Sequence, residues 1–287
     1  MFWIYHNGKI LPEDEVRIPI TDRSYLYGEG LFETMLAHRG KIPFFIEHME
    51  RLQLGMQALE FSYRFSQVDL QSALEQLLHK NDLQEASLRL SLSRENTAIG
   101  QRQASQNYHL IVFPQIFADN SLNSVEEIKS YRVTLETKYK ICSSRLSQYK
   151  TSNYLFYLDT HQCAREAGFD EALICNNQNE IIEGTTTNLF CFLDGQWITP
   201  SAAQGPLLGV GRRILIELMK KNHIAIEEKA VTLSELKASQ TIVLTNAIHG
   251  PIFVKSLNEQ GFENPKSKSR AIYLKKLWLD KINDRLK

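Results

Sequence analysis

The stretch "EIIEGTTTNLF", Glu180 to Phe190, joins two short β-type runs through a glycine and three threonines. "EIIEG" and the continuation "TNLFCFL" are rich in β-branched and aromatic residues, which predicts two short strands with a tight connection. Two readings of that connection compete. In one, the Asn and Thr side chains cap backbone groups of an ordinary turn. In the other, Glu183 is a carboxylate aimed at a ring nitrogen or a substrate amine, with hydroxyls lining the site. Eleven residues leave both open, so the reading has to widen.

Around this stretch, "EALICN" and "QWITP" extend the run of short strands, and "TIVLTNAIHGPIFV" is again strand-like. "YLFYLDTHQCAREAG" predicts a helix with a mixed stripe of Leu155, Leu158, His161 and Gln162, stopped by Gly168. "GVGRRILIELMKKN" opens on glycines and becomes an apolar-faced helix. The tail ends as a basic amphipathic helix packing through Leu274, Leu277 and Ile282. In the first half, "FWIYHNGKILP" predicts strand, Asn7-Gly8 turn and strand. "FETMLAHRGKIPFFIEH" predicts a second such pair about Arg39-Gly40. Helices follow over Ile46 to Leu59 and from an N-cap at Ser66 to a stop at Asn81-Asp82. "SLRLSLSR" alternates, with Leu88, Leu90 and Leu92 on one face, and "YHLIVFPQI" is a more continuous strand. These elements predict an α+β chain with an N-terminal domain over 1–116, a polar linker over 117–123 and a C-terminal domain over 124–287.

Composition removes several classes of function. Lys plus Arg and Asp plus Glu are each 33, so no global charge draws the chain to nucleic acid or to an anionic membrane. Cys142, Cys163, Cys175 and Cys191 form no C-x-x-C pair, which predicts neither a structural metal nor a disulfide framework. The opening "MFWIYHNGKI" lacks the basic n-region of a signal peptide, and no run reaches the ~20 apolar residues of a membrane span. The expectation is a cytoplasmic soluble protein.

Three further features could carry chemistry. Lys150, in "SQYKTSNYLFYL", precedes a helix; such a lysine is ordinarily solvated, but a buried one of lowered pKa suits Schiff-base formation with a carbonyl. "GPLLGVGRR" lacks the spacing of a dinucleotide or P-loop fingerprint. Its glycines nonetheless bring backbone N–H groups and a helix dipole to where a phosphate could sit. Arg51, on a predicted helix, is either a surface residue or a bidentate phosphate ligand.

Taken in order, "DRSYLYGEGLFET", "EHMERL", "YKTSNYL", "AREAGFDEALI", "EGTTTNLF", "ITP…GPLLGVGRR" and "LTNAIHG" resemble the class IV aminotransferases. These are fold-type IV pyridoxal 5′-phosphate enzymes: branched-chain aminotransferases, D-amino acid transaminases and 4-amino-4-deoxychorismate lyases. The resemblance implies a two-domain, D-amino acid aminotransferase-like fold with the cofactor between the domains, and commonly a homodimer. By it, Lys150 forms the Schiff base with the cofactor and shuttles the substrate Cα proton. Glu183 pairs with the pyridine nitrogen, and Arg51, Val210, Gly211 and Asn246 serve the phosphate. Tyr154 lies near the ring, while Tyr25, Phe32 and Thr34 are candidates for the substrate side. Many relatives carry Thr where this chain has Gly211, so a side-chain hydroxyl is missing there. "YLYGEGLFET", "LTNAIHG" and the Lys150–Tyr154 spacing look closer to the lyases than to the branched-chain enzymes, and a small amino substrate is implied either way.

Overall fold

The computed structural model describes residues 1–95, 107–117, 122, 124–136, 140–141 and 146–287. Of the linker expected over 117–123, only residues 117 and 122 are among them, and Cys142 lies outside them. The chain divides into two compact units. The first comprises Met1–Ala118, Tyr149–Tyr154 and Arg285–Lys287, and the second Asp119–Gln148 and Leu155–Asp284.

In the first unit, β1 (Trp3–His6), β2 (Lys9–Pro12), β3 (Leu31–Ala37), β4 (Ala86–Arg94) and β5 (Tyr108–Ile116) form an antiparallel sheet in the order β2-β1-β5-β4-β3. Asn7 and Gly8 both take positive φ, which matches the twist of the β1–β2 hairpin. One face of the sheet carries Met35, Leu88, Leu90, Leu92, Leu110 and Val112. It packs against α2 (Phe45–Ala58) and α3 (Gln67–Lys80) through Met49, Leu52, Leu70, Leu74, Leu77 and Leu78. Ser66 caps α3 by accepting from the Asp69 N–H, as its position predicts. The strand expected after the Arg39-Gly40 turn does not form: only a single bridge joins His38 to Lys41, and the chain enters α2 at Phe45. Pro43 removes a ladder donor there, and the core claims Phe45 as a helical residue instead.

β3 is the edge strand, and the returning chain uses that edge. The Phe32 N–H donates to the Lys150 carbonyl at 2.9 Å, the Ser152 N–H donates to the Gly30 carbonyl at 2.9 Å, and Thr151 bridges Leu31. These backbone bonds place Tyr149–Tyr154 in the first unit, whereas the sequence reading kept Lys150 with the second half.

The second unit is built on a ten-stranded sheet. Its strands are β6 (Ser130–Leu135), β7 (Glu171–Cys175), β8 (Glu180–Gly184), β9 (Asn188–Leu193), β10 (Gln196–Thr199), β11 (Ile226–Glu228), β12 (Val231–Thr232), β13 (Thr241–Asn246), β14 (Gly250–Leu257) and β15 (Gln260–Gly261). The path runs β9-β13-β14-β6-β7-β8, and a further pairing of Glu183 with Asn188 closes β8 back onto β9. Closure removes the edges of those six strands and encloses a core of Val133, Leu173, Ile181, Leu189, Ile242, Leu244, Ile252 and Val254. On the outer face, Phe190, Val243 and Phe253 pack against α5 (Val210–Lys221) and α7 (Pro265–Leu286) through Leu215, Met219, Ala271 and Leu274. Strands buried on both faces explain why "TIVLTN" and "PIFV" read as continuous apolar runs.

Two helix faces differ from expectation. On α4 (Leu155–Glu166) the buried residues are Thr160 and Ala164, while Leu155 and Leu158 are exposed. On α7, Leu274 and Ile282 are buried as expected, Leu277 is half-buried, and Trp278 and Lys275 join the buried face. α6 (Leu233–Ala238), opened by a Thr232–Glu235 capping box, escaped the sequence reading.

Candidate active site

The sequence-selected residues fall into two groups. Lys150, Tyr154, Phe32, Thr34, Tyr25 and Arg51 belong to the first unit; Glu183, Val210, Gly211 and Asn246 belong to the second.

In the first unit, alternation along β3 and β4 sends Phe32, Thr34 and Arg89 to the sheet face opposite the helices, with Thr34 and Arg89 in register. The Lys150 ammonium lies 4.4 Å from the Phe32 ring centroid and 5.3 Å from that of Tyr154. Those two rings meet edge-on at 5.4 Å. The Arg89 guanidinium stacks 3.3 Å over the same Phe32 ring. Burial lowers the Arg89 pKa to about 10, against the opposing pull of Tyr154 and Glu33. Two cations therefore share one aromatic surface, a setting that favours an anionic ligand. Tyr25 is not part of this group: it sits on the short helix α1 (Arg23–Tyr27) with 70% of its surface exposed.

Arg51 is held from behind. Its Nε donates to Glu33 Oε1 at 2.8 Å and its Nη2 to Glu33 Oε2, while His48 Nδ1 donates to Oε2 at 2.6 Å. Burial pushes the Glu33 carboxyl up, but the Arg51 and His48 partners outweigh it and hold the pKa at about 2. Burial depresses His48, so at neutral pH its ring is a neutral donor. The bidentate contact fixes the guanidinium plane with only two of its five N–H donors.

In the second unit, Glu183 is the penultimate residue of β8 and is buried. Its Oε1 accepts from the Tyr157 hydroxyl at 3.1 Å; its Oε2 accepts from the Leu207 N–H at 3.0 Å and from Asn188 Nδ2 at 3.4 Å. The α5 N-cap is Gly209, which has no side chain to cap the first turn, so the helix start presents backbone donors. Gly211 lies against the backbone of the next loop: a Cβ there would come within 2.7 Å of the Asn246 carbonyl carbon. The hydroxyl absent at this position is therefore excluded by close backbone packing, which the sequence reading did not foresee. Asn246 Oδ1 accepts from the Ile248 and His249 N–H groups at 3.1 and 2.9 Å, and its Nδ2 donates to the Thr186 carbonyl at 3.4 Å.

The three threonines resolve differently from either opening alternative. All three hydroxyls turn inward onto the buried carboxylate of Glu171, Thr186 Oγ1 at 2.8 Å and Thr187 Oγ1 at 3.2 Å. Sequence reasoning missed Glu171, Tyr157, Glu33 and Arg89 as participants. Glu33 and Glu171 stood inside the quoted stretches "DRSYLYGEGLFET" and "AREAGFDEALI", and Arg89 was visible as the long cation on the non-leucine face of "SLRLSLSR".

The donor set fits a phosphorylated pyridine aldehyde. The first unit offers a side-chain amine on an aromatic surface and an oriented arginine suited to a phosphate; the second, taken by itself, offers an uncapped helix start suited to a phosphate and a fixed carboxylate suited to a protonated ring nitrogen. Comparison with known proteins agrees. The family description "Amino-transferase class IV" matches residues 30–257. The chain is 28% identical over 253 residues to the aminodeoxychorismate lyase of Bacillus subtilis, covering 85% of this chain and 83% of that protein. It is 26% identical over 258 residues to the D-alanine aminotransferase of Bacillus licheniformis, covering 90% and 89%. The branched-chain aminotransferase of Thermoproteus uzoniensis has the same fold, with a TM-score of 0.87 at 20% identity over 99% of this chain and 97% of that one. The protein belongs to the class IV aminotransferase family and is a pyridoxal 5′-phosphate-dependent enzyme of the α+β, fold-type IV class. Among the described residues, no helix is long and apolar enough to cross a membrane.

Proposed function

We propose that this enzyme is a 4-amino-4-deoxychorismate lyase, releasing pyruvate to leave 4-aminobenzoate. The carrying observation is the Arg89 guanidinium stacked on the Phe32 ring beside Lys150. A substrate with two carboxylates gains from a half-buried guanidinium there, whereas a branched-chain substrate offers it no anionic group beyond the α-carboxylate. The identity to the Bacillus subtilis lyase supports the same reading.

When bound, the cofactor supplies the electron sink that makes the substrate Cα proton removable. Lys150 binds the cofactor aldehyde through Nζ and moves that proton. Glu183, fixed by Tyr157 and Leu207, keeps the pyridine nitrogen protonated. Arg51, its plane set by Glu33, holds the phosphate with the backbone N–H groups of Val210 and Gly211 and with Asn246 nearby. Tyr154 flanks the ring, Phe32 and Thr34 line the substrate side, and Arg89 orients a carboxylate. Tyr25, exposed in the single chain, serves the substrate only from a partner's side of a homodimer. The exposed Leu155 and Leu158 support such pairing. The enzyme works in the cytoplasm.

A branched-chain or D-amino acid transaminase using a 2-oxo acid acceptor is the second reading, favoured by the branched-chain and D-alanine aminotransferase relatives. The test is to load the protein with pyridoxal phosphate and offer aminodeoxychorismate while assaying pyruvate. In parallel, glutamate, branched-chain amino acids and D-alanine are offered while pyridoxamine phosphate is followed. Pyruvate release supports the lyase; amino-group transfer without pyruvate refutes it.

A further inference from the structure

Glu171, on β7, is completely buried in the second unit and has no part in the chemistry above. Its Oε1 accepts from the Ala172 N–H at 2.9 Å, from the Thr185 N–H at 3.0 Å and from the Thr185 hydroxyl. Its Oε2 accepts from the Thr186 N–H at 3.0 Å and from the Thr186 and Thr187 hydroxyls at 2.8 and 3.2 Å. His161 Nδ1 extends the chain outward, donating to Thr185 Oγ1 at 2.9 Å. Burial pushes the Glu171 carboxyl up, but the donors from His161, Thr185, Thr186 and Ala172 outweigh it and hold it below the usual range.

Nearly all of these donors come from one place, the turn between β8 and β9. The carboxylate therefore wraps a single loop around itself. That loop ends on Glu183 and Asn188, which pair across the β8–β9 closure and share a side-chain hydrogen bond. Midway along it, the Thr186 carbonyl accepts from Asn246, whose backbone abuts Gly211. One turn thus touches both the ring-nitrogen carboxylate and the phosphate-side residues.

We propose that Glu171 is a positioning residue: by folding the Gly184–Thr187 turn around its carboxylate it fixes the direction of Glu183 and the place of Asn246, and so sets the orientation in which the cofactor is held. The inference rests on the roles given to Glu183 and Asn246 under the proposed function. Glu171→Gln presents an amide N–H to donors that need an acceptor, and Thr187→Val removes one donor at constant shape. Thr187→Ser keeps that donor.

The experiment titrates each protein with pyridoxal phosphate and records the visible absorbance and circular dichroism of the bound cofactor. Glu171→Gln and Thr187→Val raise the dissociation constant about 10-fold and lower the ellipticity per unit absorbance by roughly half, while Thr187→Ser stays near wild type. Leu274→Ala, on α7, lowers the melting temperature without changing the ellipticity ratio. Folded Glu171→Gln and Thr187→Val proteins with wild-type affinity and ellipticity overturn the proposal, as does a Leu274→Ala variant showing the same loss of ellipticity. If Glu171→Gln does not fold, Thr187→Val against Thr187→Ser decides alone. A wild-type protein that develops no visible band refutes the proposed function instead.

Discussion

Replacing Glu33 by Gln tests how Arg51 is held. Glu33 lies almost fully buried between Arg51 and His48, with 1% of its side chain exposed. Its pKa falls from 4.5 to about 2, which at 1.36 kcal/mol per unit corresponds to about 3 kcal/mol of native-state stabilisation of the carboxylate. Because the folded pKa is depressed, this stability is fully present above pH 4.5 and is lost as pH falls toward about 2. The variant lacks the titration, so the gap between wild type and Glu33→Gln should be about 3 kcal/mol at pH 7 and shrink to roughly half of that at pH 3. Hydrogen exchange of the β3 and β4 amides reads the opening free energy of the first unit alone. Affinity for pyridoxal phosphate should fall in the same variant, because the guanidinium loses its fixed plane. A gap below ~1 kcal/mol at pH 7, or one that does not change between pH 7 and pH 3, refutes the assignment of Arg51 orientation to an ionised Glu33.

Other substitutions probe separate parts of the account. Gly211→Thr does not tighten cofactor binding, because its Cβ would meet the Asn246 backbone at 2.7 Å; a pyridoxal phosphate titration should show about 10-fold weaker binding or worse. Arg89→Met raises KM for a substrate with two carboxylates by about 10-fold or more and changes kcat less, as initial-rate kinetics will read. Thr232→Ala removes the hydroxyl that accepts from the Glu235 N–H and costs about 1 kcal/mol, seen as faster amide exchange in α6.

Local patterning carried most of the element order into view. The leucine alternation of β4, the Ser66 cap and the apolar runs of β13 and β14 each follow from burial that repeats with the backbone period. Patterning failed where tertiary contacts overrode it. Pro43 and the claim of the core on Phe45 replaced a strand with a helix start. On α4 the leucines face outward, because its buried stripe is narrow enough for Thr160 and Ala164. The docking of residues 150–152 on the β3 edge is a long-range backbone contact with no local signature.

The candidate site was legible where it resembled a known family and illegible where it depended on support. The motifs imply roles for Lys150, Arg51 and Glu183; Glu33 and Glu171 stand in the same motifs without an implied role, Tyr157 lies outside them, and the contacts of all three form only on folding. The three threonines illustrate the limit: their spacing signalled a turn, and nothing in the sequence said that a carboxylate on another strand would gather them. The close approach at Gly211 is of the same kind, since a missing side chain cannot announce what occupies its place.

The most direct test of the central claim is the visible spectrum of the protein reconstituted with pyridoxal phosphate, recorded beside that of Lys150→Ala. The account predicts an absorbance band near the visible edge in the wild type that is abolished in the variant, together with loss of pyruvate release from aminodeoxychorismate. A Lys150→Ala protein that keeps both the band and the activity contradicts it.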